Sequence, residues 1–264
     1  MQVIIRDTED NAVKLAARVA CKDIRQKPHI VLGLATGRTM VRLYSELVKC
    51  HERENLDFSL CRTFNLDEYI GLPTTHPQSY RSYMNSNLFN HINIDIRNTH
   101  IPNGMSPDVD KECLIYEETI KDCGGIDLQI LGIGSDGHIG FNEPLSALRS
   151  RTRTKSLTPE TMKQNGPLFK KPDVMPGRAI TMGLGTIMEA KKCLMLVTGK
   201  SKAGILAKAI EGPITSMVTA TTLQLHHQCV IIADKAAASK LKCKQYYKWI
   251  WENEPEWKEY HGKY

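Results

Sequence analysis

Short, nearly uninterrupted apolar runs recur along the chain, each leading into a glycine-bearing turn or a helical pattern. Residues 29–35 (HIVLGLA) precede Thr36-Gly37-Arg38-Thr39, and residues 126–133 (IDLQILGI) end at Gly134. Residues 193–198 (CLMLVT) precede Gly199-Lys200-Ser201-Lys202 and then AGILAKAI, and residues 229–233 (CVIIA) lead to the helical pattern AAASKLKCKQYYKWI. After the first turn, Met40, Leu43, Tyr44, Leu47 and Val48 fall at i, i+3, i+4, i+7 and i+8, one stripe of an amphipathic helix. Apolar strands alternating with helices predict an α/β fold with a mainly parallel sheet covered on both faces. Ligands of such sheets bind in the loops after the strands, which directs attention to the turns just named. Residues 156–178 break the pattern: Pro, Gly and Lys are frequent and no long apolar period is visible. Such a stretch inside a compact domain reads as a lid or binding segment. No shift in composition divides residues 1–264, which are expected to form one domain with that lid inside it.

With 264 residues the chain is long enough to bury a core without disulfides. The charge, +6 from 35 Lys and Arg against 29 Asp and Glu, is modest and interspersed. It suits an anionic small molecule at least as well as nucleic acid. None of the eight cysteines forms a Cys-x-x-Cys pair, which leaves zinc-ribbon and thioredoxin readings without their signature; reduced thiols in a cytoplasmic protein are expected. No apolar run reaches a membrane span, and Arg6, Asp7, Glu9 and Asp10 interrupt the place of a signal peptide's apolar region. No membrane or nucleic-acid partner is expected.

Two turns could cradle a phosphate. Thr36–Gly37–Arg38–Thr39 lies between a strand and a helix, where backbone N–H groups favour an anion; the plainer reading is a connecting turn with Thr39 as N-cap. Gly199–Lys202 repeats the arrangement with two lysines but lacks the spacing of a nucleotide P-loop. Residues 132–137 match Gly-x-Gly-x-x-Gly, yet Gly140 and Pro144 follow where a dinucleotide fold needs a long helix. The stronger feature is Asp136, His138 and Glu143 on one strand-end loop. A histidine flanked by carboxylates can be held in one tautomer and tuned as a general acid–base; a solvated polar loop is the plain alternative. As metal ligands Asp136 and His138 are too few, and His226 and His227 lie far off in sequence. Asp67 and Glu68 could supply a base beside a strand end, though adjacent acids usually form a solvated turn. Arg149, Arg151, Arg153 and Lys155 alternate, so that in a strand all four would share one face, either as a guarded edge or as an anion site. The C-terminal aromatics Tyr246, Tyr247, Trp249, Trp251, Trp257, Tyr260 and Tyr264 suggest a packed terminal helix or a subunit contact.

Residues 64–72 (FNLDEYIGL), 134–144 (GSDGHIGFNEP), 150–153 (SRTR) and 183–187 (GLGTI) together resemble the glucosamine-6-phosphate deaminase family. The related 6-phosphogluconolactonases share a looser form of the second block. The resemblance implies a three-layer α/β/α Rossmann-like fold and cofactor-free conversion of glucosamine 6-phosphate and water to fructose 6-phosphate and ammonia. By the same resemblance Asp67 moves the C2 proton, and His138 opens the sugar ring with Asp136 and Glu143 as partners. Thr36, Gly37, Arg38, Thr39, Gly137 and Lys202 fall in the substrate site. Ser146, Arg153, Lys155 and Ser156 fall where family members that form homo-oligomers bind an N-acetylglucosamine 6-phosphate effector, although Ala147 replaces a serine and the C-terminal segment diverges. Where the family carries a lid arginine, residues 165–169 read NGPLF. Arg38 is expected to supply that guanidinium, with Lys170 or Lys171 as weaker candidates. Lactone hydrolysis and a non-catalytic sugar-phosphate sensor are the competing readings.

Overall fold

A computed structural model describes residues 1–262. The chain runs through β1 (Gln2–Arg6), α1 (Glu9–Gln26), β2 (Val31–Leu34), α2 (Arg38–Glu54), β3 (Arg62–Asn65) and the short β4 (Asp67–Tyr69). It continues with α3 (Tyr80–Asn87), β5 (Thr99–His100), α4 (Val109–Asp122), β6 (Leu128–Leu131), β7 (Arg153–Ser156) and α5 (Pro159–Asn165). The last elements are β8 (Arg178–Thr181), α6 (Leu184–Met188), β9 (Lys192–Val197), α7 (Ala203–Glu211), β10 (Cys229–Asp234) and α8 (Lys244–Asn253).

The four apolar runs of the sequence are β2, β6, β9 and β10, and they lie side by side. They form the middle of a parallel sheet of order β1-β10-β9-β6-β2-β3-β5. β2, β6 and β10 are buried along their whole length, as strands covered on both faces must be. From β2 the chain moves outward to β3 and β5; from β6 it moves the opposite way, to β9 and β10. Right-handed crossovers then put α1 and α2 on one face and α4 and α7 on the other. The carboxyl ends of β2 and β6 therefore border a crevice at a topological switch point.

Beside this sheet stands a small antiparallel one, β4-β8-β7, which the sequence did not foreshadow. The lid-like residues between β7 and β8 form a long excursion from that pair. It is closed at its base by the Ser156–Arg178 pairing and by Leu157 N donating to Gly177 O at 3.0 Å. Within it α5 starts at Thr158, whose hydroxyl caps the Thr161 N–H.

Three local expectations need correction. α2 begins two residues earlier than a Thr39 cap would allow: Gly37 is the N-cap, at φ 118°, a conformation open to glycine. Of the alternating cations only Arg153 and Lys155 lie in a strand; Arg151 precedes it and pairs with Glu117 and Glu189 on neighbouring elements. β7 is indeed an edge strand. At the C-terminus a short 3-10 turn (Ala237–Lys240) comes first, and α8 waits until Lys244. The intervening N–H groups of Lys242 and Cys243 are held by the Glu211 carboxylate instead of helical carbonyls.

The stripe on α2 faces inward as expected, with Met40, Leu43, Tyr44 and Leu47 buried and Val48 half-buried. Tyr44 also satisfies its hydroxyl by donating to Ala35 O at 2.5 Å. α8 and residues 255–260 cover the exposed edge at β1, with buried Trp257 donating from its indole N–H to Gln2 Oε1 at 3.2 Å. Tyr247 and Tyr260 are buried with it, whereas Tyr246 and Trp249 stack on each other in solvent; Tyr264 lies outside the described residues. Among the described residues no helix is long and apolar enough to cross a membrane, and all eight cysteines are free thiols.

The turn into α6 is held by close backbone contact. A Cβ on Gly183 would come within 2.1 Å of Ser150 O. Because both sides of that contact are backbone, Gly183→Ala should destabilise the fold by about 3 kcal/mol, lowering the thermal midpoint by roughly 6–10 °C. A midpoint within 2 °C of wild type, by calorimetry, would contradict this packing.

Candidate active site

Three neighbouring strands, β9, β6 and β2, deliver their following loops to one place. After β2, the Gly37 turn opens α2 with no side chain capping its first N–H groups. The Tyr83 hydroxyl donates to Gly37 O at 2.7 Å and fixes the turn from α3. Arg38 is exposed on the first turn of α2. After β9, Gly199 adopts φ 91° and donates its N–H to Asp234 Oδ1 at 3.0 Å. This sends Lys202 across to the β6 loop, where Nζ donates to Ile133 O at 2.8 Å. Burial pushes the Lys202 ammonium below its ordinary pKa. A cation in this state favours an arriving anion.

After β6 the chain folds back on itself: Gly134 N donates to His138 O at 2.9 Å. A Cβ at Gly134 would strike the His138 ring at 2.4 Å, so the imidazole lies where only glycine lets it lie. Gly137, at φ 93°, has no room for a side chain against Val218 and Ile205. Asp136 Oδ1 accepts from His138 N at 3.2 Å and lies 2.6 Å from the ring's Nδ1. Glu143 Oε2 approaches the same Nδ1 at 3.2 Å. Nδ1 thus lies between two carboxylates without a well-aligned hydrogen bond to either, and Nε2 remains the nitrogen able to exchange a proton with a ligand. Burial by itself would lower the His138 pKa; the two carboxylates overcome it and raise it to about 9. Both Asp136 and Glu143 are held below the usual carboxylate range, since their contacts with His138 outweigh their own burial.

Asp67 and Glu68 are not a solvated turn. They lie in β4, 5% and 1% exposed, because Leu66 N bonds to Leu34 O while Met182 N bonds to Leu66 O, drawing the segment between the two sheets. Glu68 accepts from the N–H groups of Tyr69, Tyr80 and Arg81, the last two being the first residues of α3. This buried cap was missed by sequence reasoning. Asp67 faces the His138 loop: its Oδ2 lies 3.4 Å from where a Gly140 Cβ would stand. Burial, then the charge of Glu68, raise the Asp67 carboxyl to about 8, against a smaller opposing pull from His138.

One ligand-capable atom each from Asp136, His138 and Glu143 lies within 4.8 Å of the others. The 2.6 Å separation of Nδ1 from Asp136 Oδ1 is a hydrogen-bond distance. Two atoms of a tetrahedral shell with bonds of about 2.1 Å stand roughly 3.4 Å apart. The set is therefore read as a proton-sharing triad. His226 plays no part here: it is buried against Ala190 O and Gln228 N.

Of the remaining candidates, Arg153 and Ser146 lie beside residues 142–143. Arg153 Nη1 donates to Asn142 Oδ1 at 2.9 Å, and its Nη2 and the Ser146 hydroxyl are buried without a hydrogen-bond partner. Lys155 is half-buried and Ser156 exposed on the β7 edge. Lys170 and Lys171 are both exposed. A further residue reaches the triad from the β7–β8 excursion: the Thr161 hydroxyl donates to Glu143 Oε1 at 2.6 Å. The only sequence signal for it is the Thr-Pro-Glu-Thr helix start at 158–161.

Residues 6–232 match the model of the family described as glucosamine-6-phosphate isomerases/6-phosphogluconolactonase. The chain is 51% identical over 239 residues to a glucosamine-6-phosphate deaminase of Thermoanaerobacter sp. (strain X514), covering 90% of this chain and 94% of that protein. It is 48% identical over 250 residues to one of Hahella chejuensis, covering 95% of each. Among solved structures, a glucosamine-6-phosphate deaminase described as monomeric superposes with a TM-score of 0.88 at 42% identity, over 91% of this chain and 100% of that one. A 6-phosphogluconolactonase from Trypanosoma cruzi shares the fold, with a TM-score of 0.69 at 21% identity over 92% and 97%.

The buried acid has a measurable consequence for stability. Asp67 keeps its proton in the folded chain up to about pH 8 but loses it near 3.8 when unfolded. The folded state thus binds more protons across that window, and stability falls as pH rises through it. Asp67→Asn removes the ionisation. It should match wild type near pH 4 and exceed it at pH 8 by several kcal/mol, on the order of 5, in chemical denaturation. A gap independent of pH would refute the raised pKa.

Proposed function

Because this chain belongs to the family of glucosamine-6-phosphate isomerases and 6-phosphogluconolactonases, we propose that it is the deaminase, converting glucosamine 6-phosphate and water reversibly to fructose 6-phosphate and ammonia. The observation that carries this choice is Asp67, a buried carboxyl facing the imidazole loop. Proton transfer at C2 of an amino sugar needs a positioned base there, and lactone hydrolysis does not. The identities of about one half to deaminases, against about one fifth to lactonases, point the same way.

The chemistry follows from the side chains. The substrate phosphate binds at the Thr36–Thr39 turn and Lys202, fixing the far end of the sugar. His138, with Nδ1 engaged by Asp136 and Glu143, presents Nε2 to the ring oxygen. It delivers a proton to O5, and the freed imidazole takes the proton from O1, opening the pyranose. Asp67 then takes the proton from C2 and returns it to C1, which converts the aldehyde amine to a C2 imine with a C1 alcohol. Water adds to that imine and ammonia departs. An empty site holds Asp67 largely protonated at neutral pH. The ammonium of an amino sugar beside it favours the ionised form, so the right substrate charges the base. No cofactor enters these steps, and the reading carries a cytoplasmic location with it.

The primary test is ammonia release from glucosamine 6-phosphate by the purified chain. The alternative readings require no release, and Asp67→Asn should abolish release while leaving phosphate binding nearly intact. In kcat/KM the acid limb should fall near the value of Asp67, about 8, because the base must be charged. The alkaline limb should fall as His138 loses its proton near about 9. Profiles that stay flat from pH 6 to 10 would remove both assignments.

We also propose that Arg38 supplies the guanidinium for the substrate phosphate, supported by its exposure at the start of α2 beside the turn. Arg38→Ala should raise KM at least fivefold with kcat little changed; a rise within about twofold sinks the idea. The buried, unpartnered Arg153 Nη2 and Ser146 hydroxyl support an anion-binding role for Ser146, Arg153, Lys155 and Ser156. If that role is regulatory, N-acetylglucosamine 6-phosphate should change the rate curve of a self-associated form; a hyperbolic curve indifferent to it would reject the role.

A further inference from the structure

Glu143 is 1% exposed, so no bulk water orients its carboxylate. Its contact with the imidazole, 3.2 Å from Oε2 to Nδ1, is shared with Asp136 and is the looser of the two. The other oxygen is held more firmly. Thr161 Oγ1 donates to Oε1 at 2.6 Å, and Thr158 N adds a longer contact at 3.4 Å. An ionised carboxylate only accepts, so the Thr161 hydroxyl must point its proton at Glu143. That hydroxyl oxygen then receives the Thr158 Oγ1 proton at 3.2 Å. Thr161 is 3% exposed and rides on α5, in the excursion between β7 and β8. The other contacts of this segment with the site are longer: Ser135 Oγ to Gln164 Oε1 at 3.3 Å and Asn165 Nδ2 to Tyr69 OH at 3.2 Å.

We propose that Thr161 is a positioning residue for the acid–base pair: by holding Oε1 of Glu143 it turns Oε2 toward His138, so that the triad is complete only while α5 is docked. The assignment deepens the deaminase reading and rests on it for its catalytic meaning. It makes the 157–177 excursion a device that couples closure over the sugar to the state of the imidazole. The charged groups facing His138 are Asp136 and Glu143 from its own loop and Asp67 from β4, with Lys202 facing Asp136 from the β9 turn. Of these, only Glu143 is reached by α5.

Thr161→Val keeps the side-chain shape and deletes the donor, and Thr161→Ser keeps the donor. The decisive readout is the titration of His138 in the substrate-free protein, followed by NMR of labelled histidine. If Thr161 orients Glu143, the valine variant lets the carboxylate turn away and the His138 titration falls toward 6.5 by at least one pH unit. Serine restores it. A merely electrostatic role predicts the reverse, because Glu143 left in place without its donor would hold the imidazole proton harder. An unchanged or raised titration therefore overturns the proposal, as does a serine variant that behaves like valine. In turnover, valine should lower kcat about tenfold with KM within twofold. If the valine variant does not fold, Thr161→Ala deletes the same donor without adding bulk. The titration needs no substrate, so a protein that released no ammonia would sink the functional reading while the role of Thr161 was still decided.

Discussion

Three carboxyl groups, Asp67, Glu68 and Glu143, are almost wholly removed from water, and the site is organised around how each is tolerated. Glu68 is satisfied by three backbone N–H groups and so ties α3 to β4. Glu143 faces an imidazole on one oxygen and a hydroxyl on the other. Asp67 has no hydrogen bond to hold its charge among the described residues, and it responds by keeping its proton. The three solutions differ: a cap on α3, a charged partner for the imidazole, and a carboxyl that stays protonated.

The two sheets divide the labour. The parallel sheet supplies the two glycine turns and the imidazole loop from adjacent strand ends, and its switch point opens the space between them. The small antiparallel sheet supplies Asp67 and the closing segment together. Asp67 and Arg153 both pair with Thr181, from opposite sides, and the excursion carrying Thr161 leaves and returns through β7 and β8. Asp67, the roots of the excursion and Arg153 therefore share one three-stranded scaffold. The excursion meets the site at its roots beside Asp67 and, through Thr161, at Glu143.

The parts legible in the sequence were those with a short-range signature. The four apolar runs at β2, β6, β9 and β10 announced buried parallel strands, and the α2 stripe announced its inner face. The Asp136–Gly137–His138 block carried its own geometry, because the glycines that let the loop close sit within a few residues of the histidine they serve. Thr39 was misread as a cap since Gly37 caps by conformation alone. The Asp67–Glu68 pair was harder: adjacent acids look solvated until a second sheet is laid over them. Glu117 illustrates the same limit, since the Thr152 and Thr186 hydroxyls and Arg151 that satisfy it come from separate parts of the chain.

The sequence by itself determined the α/β class, the loops that hold the chemistry, and the residue types able to bind a phosphate and move protons. Periodicity and glycine placement act within a few residues, and these features need nothing more. Only the tertiary structure decided that Asp67 is buried against the His138 loop and that one imidazole nitrogen lies between two carboxylates. It alone brought Thr161 from a separate segment to hold one of them. Desolvation and hydrogen-bond direction depend on what surrounds a group in space, and Thr181, which pairs with Asp67, lies in a strand far along the chain.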